Sequence, residues 1–342
     1  MLLLGMIDMK NPLLWLPPEK AHALAQWYIN LRYSAFLADK VTRKNEAFPL
    51  WNLTFPNRFG LAAGWDKNAD CFDALFRLGF GFVEVGTVTP KPQEGNPQPR
   101  LFRLREKGAL INRMGFNNAG IDAMVEKIKV RRASGILGVN IGKNKETSLE
   151  NAYDDYQICL KAVYPYADYI VVNISSPNTP GLRELQSTHY LQNLLKSLML
   201  AKKTSAAMLD RDVPLLVKTT IDLPESHYEG FVSSVMEAGI DGLVISNTTV
   251  DRVGVEGCRY AEEIGGLSGR PILHRSIHMI QRCVALSENQ LPIIGVGGIF
   301  SGEDAMLYRK AGASLLQTFT GWVYRGPSLI DEVLRHISQN EI

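Results

Sequence analysis

The chain has 342 residues, 46% hydrophobic and 21% charged, the proportions of a folded globular protein long enough to bury an extensive core. Its formal net charge of +2 leaves no electrostatic footprint for nucleic acid. The four cysteines, Cys71, Cys159, Cys258 and Cys283, form no CxxC pair. That spacing excludes the usual iron–sulfur and zinc patterns and a secreted disulfide framework, and it suits a reducing compartment.

Met1–Ile7 is apolar but short, and Asp8 and Lys10 interrupt it. It falls far below the roughly 18 apolar residues of a spanning helix, so neither a secretory signal nor a membrane span is predicted. After Pro17 and Pro18, residues Ala21, Leu24, Ala25, Tyr28 and Leu31 recur at helical spacing with Trp27 beside them, which predicts an amphipathic helix over 19–32. A second short helix is predicted over Ala35–Val41, behind the potential cap Ser34. Such a pair can dock on a larger domain, lie on a bilayer surface or wall an apolar channel, and periodicity alone favours docking. The expected organisation is an N-terminal helical extension over 1–45 and a main domain over 46–342.

From residue 57 onward, strand and helix patterns alternate. Strands are predicted at Arg58–Ala62, Gly81–Val88, Ile136–Ile141, Tyr169–Asn173, Pro214–Thr219, Gly242–Ser246, Pro292–Val296 and Leu315–Phe319. Helices are predicted at Ala69–Leu78, Ile121–Arg132, Glu150–Val163, His189–Lys203, Glu225–Ala238, Ile272–Val284, Gly302–Ala311 and Ser328–Gln339. Eight strands each followed by a helix imply an α/β fold of the (β/α)₈ TIM-barrel type, with the small N-terminal helical extension ahead of it. An open doubly wound sheet is the competitor, but polar or glycine-bearing motifs follow nearly every strand instead of clustering at one switch point. The irregular segment 91–112 predicts an inserted hairpin.

Those motifs lie where such barrels build their sites, just beyond the carboxyl ends of the strands. The first strand ends in Ala62-Ala63-Gly64-Trp65-Asp66-Lys67, small residues that let a flat ligand approach the backbone, then a cation. The second ends in Gly86-Thr87, and after the hairpin comes the amide-rich run Asn112-Arg113-Met114-Gly115-Phe116-Asn117-Asn118. Asn140 ends the third strand. The fourth runs into Asn173, Ser175, Ser176, Asn178 and Thr179, in a loop stiffened by Pro177 and Pro180. Lys218 ends the fifth, and Ser246-Asn247-Thr248 ends the sixth. Two lysines among neutral amides describe a site for an anionic ring rich in hydrogen-bonding edges. Gly295-Val296-Gly297-Gly298, Phe319-Thr320-Gly321 and the loop Gly265–Gly269 predict a phosphate cradle made of backbone N–H groups. No metal site is predicted: His274 and His278 share one helical face but have no third ligand.

The motifs AAGWDKNA, GTVTPKPQ with PRLFRL, NRMGFNN, VNISSPNTPGLR, SNTT, GGLSGRP, GVGGI and TGWVYRGP together resemble the dihydroorotate dehydrogenases, most of all the quinone-linked class 2 enzymes. The resemblance covers nearly the whole chain. It implies an FMN barrel that oxidises dihydroorotate to orotate in pyrimidine synthesis and passes the electrons to a membrane quinone. FMN contacts are implied for Ala62, Ala63, Gly64, Thr87, Asn140, Asn173, Lys218 and Ser246, with Gly269, Gly298, Phe319 and Thr320 at the phosphate end. Substrate contacts are implied for Lys67, Asn112, Arg113, Met114, Gly115, Phe116, Asn173, Asn178, Asn247 and Thr248. Ser176 matches the position of the catalytic base, which takes the proton from C5 while hydride leaves C6 for the flavin N5; Thr179 and a water would relay that proton. His22 and Arg103 match positions facing the quinone. A serine base and an N-terminal helical pair both distinguish class 2 from the soluble class 1 enzymes, which carry a cysteine base. Trp65 and Ser246 depart from the commoner residues without removing a needed group. A monomeric bacterial protein held peripherally on the cytoplasmic side of the cell membrane is the corresponding expectation.

Overall fold

In a computed structural model, residues 12–34, 47–179, 181–186 and 188–340 are described. Eight parallel strands close into a barrel: β1 (Phe59–Leu61), β2 (Phe82–Val88), β3 (Ile136–Ile141), β4 (Tyr169–Asn173), β5 (Leu215–Thr220), β6 (Gly242–Asn247), β7 (Ile293–Val296) and β8 (Leu315–Thr318). Each pairs with its successor in sequence, and β8 returns to β1 through Leu316↔Phe59 and Thr318↔Leu61. The predicted (β/α)₈ TIM barrel is the architecture found. Every residue of β2, β4 and β5 is buried, because barrel strands face side chains inward and helices outward. That is why they read as apolar runs without alternation.

The lower bore is filled by Phe82, Tyr169, Val171, Leu216, Val244, Ile294 and Leu315. A hairpin that the sequence reading missed, Phe48–Leu50 with Leu53–Phe55, closes this end. Its Phe55 is fully buried and meets Phe82 edge to face at 5.5 Å, while Trp51 Nε1 donates to the Asp241 carbonyl at 2.7 Å. The barrel is therefore closed at its N-terminal mouth by this hairpin.

The predicted helices are present with shifted ends. His189–Lys203 lengthens to Thr188–Leu209, and Ala69–Leu78 shortens to Phe72–Leu78. Residues 225–238 divide into a 3₁₀ turn, Glu225–His227, and the helix Tyr228–Ala238. The inserted hairpin is Leu101–Leu104 with Ala109–Asn112. One element differs in kind: Gly266–Gly269, read as a phosphate loop, is a third strand pairing antiparallel with Ala109–Asn112. Its glycines are needed for close packing, since a Cβ on Gly266 would overlap Thr248.

The N-terminal helix Pro18–Ser34 lies against the helix Phe72–Leu78. Its apolar residues are divided between two faces instead of forming one stripe. Ala21 and Ile29 are buried, whereas Trp27 and Leu31 are 60% and 61% exposed. Polar contacts pin it down: Gln26 Nε2 donates to the Trp65 carbonyl at 3.1 Å, Asn30 Nδ2 to the Asp70 carbonyl at 2.8 Å, and Arg77 Nη1 to the Tyr33 carbonyl at 2.8 Å. The helix predicted over Ala35–Val41, and with it the division at residue 45, lies outside the described residues.

Candidate active site

A cavity of ≈ 280 Å³ opens at the C-terminal rim of the barrel. Ala62, Ala63, Gly64 and Lys67 line it from the loop after β1, Thr87 from β2, and Asn112, Met114, Gly115 and Phe116 from the segment after the hairpin. Asn173, Ser176 and Asn178 come from the end of β4, Lys218 from β5, and Ser246, Asn247 and Thr248 from the end of β6. Gly269, Gly298, Phe319 and Thr320 complete one end.

Two expected contacts lie outside the lining. Asn140 is fully buried just beneath it, and Arg113 turns its guanidinium away to pair with Glu263 at 2.6 Å, stacked over Phe102 at 4.6 Å. Arg113 directly follows Asn112, the last hairpin strand residue, which lines the cavity, so side-chain alternation sends the arginine outward. Sequence reasoning missed Glu19, Gln26 and Asn68 in the wall, and named Asn117 and Ser268, which also line it, only as members of rim motifs without a contact of their own. Asn117 Oδ1 is buried with no hydrogen-bond partner among the described residues, an acceptor suited to a ligand N–H. Its place in the amide-rich NRMGFNN run was the signal.

The amides are cross-linked rather than loose. Asn173 Nδ2 donates to Thr87 Oγ1 at 3.0 Å and to Asn140 Oδ1 at 3.2 Å. Asn247 Nδ2 donates to Ser175 Oγ at 2.9 Å and to Asn173 Oδ1 at 3.3 Å. Asn178 Nδ2 reaches the Asn112 carbonyl at 3.2 Å. Ser176 is buried in the cavity lining, and its Oγ accepts from the Asn178 backbone N–H at 3.2 Å. Arg183 ties this loop to its neighbours, donating to the Ser175 carbonyl at 3.1 Å and the Thr248 carbonyl at 3.0 Å while pairing with Asp222 at 2.8 Å. Such a set of fixed amides is able to pair with the edges of a planar ring.

Two lysines and a histidine set the electrostatics. Burial and the nearby Arg100 guanidinium lower Lys67 to about 8, with Glu19 and Asp66 opposing, so it is mainly a cation at neutral pH. Burial, reinforced by the Lys67 charge, lowers His22 to about 4, which leaves the imidazole neutral. Lys218 is lowered by burial and supported by Glu84, whose carboxylate lies 3.9 Å away.

A second, apolar cavity of ≈ 150 Å³ separates the N-terminal helix from the barrel. Leu14, Ala21, Ala25, Ile29, Trp322 and Val323 are among its walls, and Arg103 lies at one side with its Nη1 held by the Leu16 carbonyl at 2.7 Å. His22, Trp65, Leu101, Leu110 and Phe319 line both cavities. His22 packs on the edge of Trp65, their ring centroids 5.0 Å apart. Trp65 thus stands, with His22, Leu101, Leu110 and Phe319, in the wall shared by the two spaces, which accounts for a large residue at that position.

The family profile for Dihydroorotate dehydrogenase matches residues 47–340. The chain is similar to the Dihydroorotate dehydrogenase (quinone) of Methylococcus capsulatus, 47% identical over 97% of this chain and 98% of that protein. It is also similar to the protein of the same name from Alkalilimnicola ehrlichii, 52% identical over 84% of each chain. Among solved structures, it superimposes on Eimeria tenella DHODH in complex with ferulenol with a TM-score of 0.86, at 37% identity over 94% of this chain and 90% of the other. The chain belongs to the quinone-linked dihydroorotate dehydrogenase family.

Proposed function

We propose that the chain oxidises dihydroorotate to orotate with the help of bound FMN and delivers the electrons to a membrane quinone. The observation that carries this reading is the pair of cavities, one polar and amide-lined and the other apolar, meeting at Trp65 and Phe319. A reaction with a polar anionic donor and a greasy acceptor needs two such compartments with a shared wall.

The residues present fit FMN. Ala62, Ala63 and Gly64 offer a floor without bulky side chains, and Lys218 supplies a cation beside it. At one end Gly269 has φ +103, and a Cβ there would fall 2.2 Å from the Gly108 carbonyl, so only glycine keeps this wall open. Gly298 and the first turn of the helix Thr320–Arg325 stand beside it, a surface rich in backbone N–H groups that suits a phosphate. When bound, FMN would supply a hydride acceptor.

This chain's own groups do the rest. Lys67 neutralises the substrate carboxylate, and Asn112, Asn173, Asn178 and Asn247 pair with the edges of the pyrimidine. Ser176 Oγ takes the C5 proton. A hydroxyl is a weak base, and Thr179, buried in the same loop, would pass that proton on through a water. The apolar cavity receives the quinone ring, with neutral His22 and cationic Arg103 near its carbonyls. Peripheral membrane contact follows from the outer face of the N-terminal helix, where Trp27 and Leu31 are exposed and no described helix is long and apolar enough to cross a bilayer. The test is direct: purified protein should carry FMN whose absorbance bleaches anaerobically on adding dihydroorotate and recovers on adding a ubiquinone analogue. Colour that persists with dihydroorotate refutes the substrate; recovery with NAD or fumarate but not quinone refutes the acceptor.

A further inference from the structure

Beneath the amide clamp the barrel bore holds a carboxylate to which the reaction assigns no role. Glu84 stands in the middle of β2, flanked by Val83 and Val85, and is 0% exposed. A lone acid in an apolar strand is costly to bury unless its charge is matched. Its Oε1 accepts from Asn140 Nδ2 at 2.7 Å and lies 3.9 Å from Lys218 Nζ, while Oε2 accepts from Gln317 Nε2 at 2.8 Å. Both oxygens act as acceptors, the arrangement of an ionised carboxylate.

That charge orients more than its own contacts. With Asn140 Nδ2 committed to Glu84, Asn140 Oδ1 must face the rim, where it accepts from Thr87 Oγ1 and from Asn173 Nδ2. Asn173 Oδ1 is then left to accept from Asn247 Nδ2 and Ser175 Oγ. Each amide in this series can turn either way by itself, and the buried carboxylate removes the choice for all of them.

We propose that Glu84 is a positioning residue: it holds Lys218 in its charged form and sets the donor–acceptor polarity of the Asn140–Thr87–Asn173 series, so that the cofactor ring meets a fixed cation and fixed donors. The proposal rests on the FMN reading above. The strands beside β5 present Asn173 and Val244 in register with Lys218, neither of them charged. The Tyr169 phenol, linked to the same group through Gln317 at 3.4 Å, is pushed well above its ordinary range by burial and by Glu84, so it remains neutral. Glu84 is therefore the charge that opposes the desolvation of Lys218.

The experiment compares the holoprotein with Glu84→Gln and Glu84→Gln/Lys218→Met, following flavin absorbance from about pH 6.5 to 9 and the FMN dissociation constant of each. Lys67 also lines the polar cavity and is lowered to about 8, so all three proteins carry Lys67→Met to keep its titration out of the reading; on that background the parent should be flat over this range. Glu84→Gln should acquire a transition as Lys218 loses its proton, and should bind FMN roughly tenfold more weakly. The double variant should lose the transition. A Glu84→Gln profile as flat as the parent's, with unchanged FMN affinity, overturns the proposal. The parent supplies a second measurement should Glu84→Gln not fold: a transition below about pH 8 that Lys218→Met abolishes also overturns it, and flatness to about pH 9 supports it. Apoprotein that takes up no FMN rejects the cofactor reading and this proposal together, whereas uptake with identical profiles rejects the proposal alone.

Discussion

The Lys67 cation gives the most exposed test of the substrate site. Lys67 is recessed in the cavity wall, and burial has lowered it to about 8. Two unit charges about 4 Å apart at an effective dielectric of about 20 attract by about 4 kcal/mol. Desolvation of both groups returns part of this, leaving roughly 2–3 kcal/mol, or about 30- to 150-fold in affinity for an anionic ligand. Lys67→Met should weaken orotate binding by that factor. The sign of the pH effect follows from the direction of the shift: the lysine is charged below about 8 and loses its proton above it. Orotate affinity of the parent should therefore hold up to that pH, then fall about tenfold per unit until it reaches the level of the variant. Lys67→Met should be flat throughout. Neighbouring groups do not blur the experiment, since His22 is neutral well below this range and Asp66, raised by burial to about 6, is already ionised. Orotate titrations at pH 7, 8 and 9 read the effect. Parent affinity that is constant across them, or a variant binding within about threefold of the parent, would refute the reasoning.

Three further outcomes are expected. Ser176→Ala should keep FMN and bind orotate yet slow flavin reduction in stopped flow by about 10²–10⁴-fold, the loss expected if the hydroxyl is the proton acceptor as proposed; near-normal reduction removes Ser176 from that role. Ala21→Phe places a phenyl ring in the ≈ 150 Å³ apolar cavity, so reduction of ubiquinone analogues should drop by at least about tenfold while anaerobic bleaching by dihydroorotate is unchanged. Equal losses in both half-reactions would argue against separate compartments. Gly269→Ala forces a Cβ onto the Gly108 carbonyl at a positive φ, and the FMN dissociation constant should rise at least about tenfold in a protein whose circular dichroism is retained.

The barrel was legible in the chain because parallel strands buried on both faces read as short apolar runs. Ile136–Ile141 and Tyr169–Asn173 have the predicted limits in the structure. Most rim residues were legible for a related reason: asparagine, serine and lysine directly after such runs fall on the one edge where barrel loops converge. Local pattern could not distinguish the strand Gly266–Gly269 from a glycine loop, since its identity depends on a partner more than 150 residues away in sequence, at Ala109–Asn112. The family resemblance assigned Arg113 to the cavity, where only the tertiary contacts with Glu263 and Phe102 decide which way the side chain turns.

Sequence by itself thus determined the barrel, the identity of the amide clamp and the family, all of which depend on residue type and on spacing along the chain. Tertiary structure alone decided that the N-terminal helix stands off the barrel to leave an apolar space, that Trp65 stands in the wall this space shares with the polar one, and that Glu84 lies 3.9 Å from Lys218. These are relations between distant segments, created when the barrel closes and brings β2 across from β5, and no local periodicity encodes them.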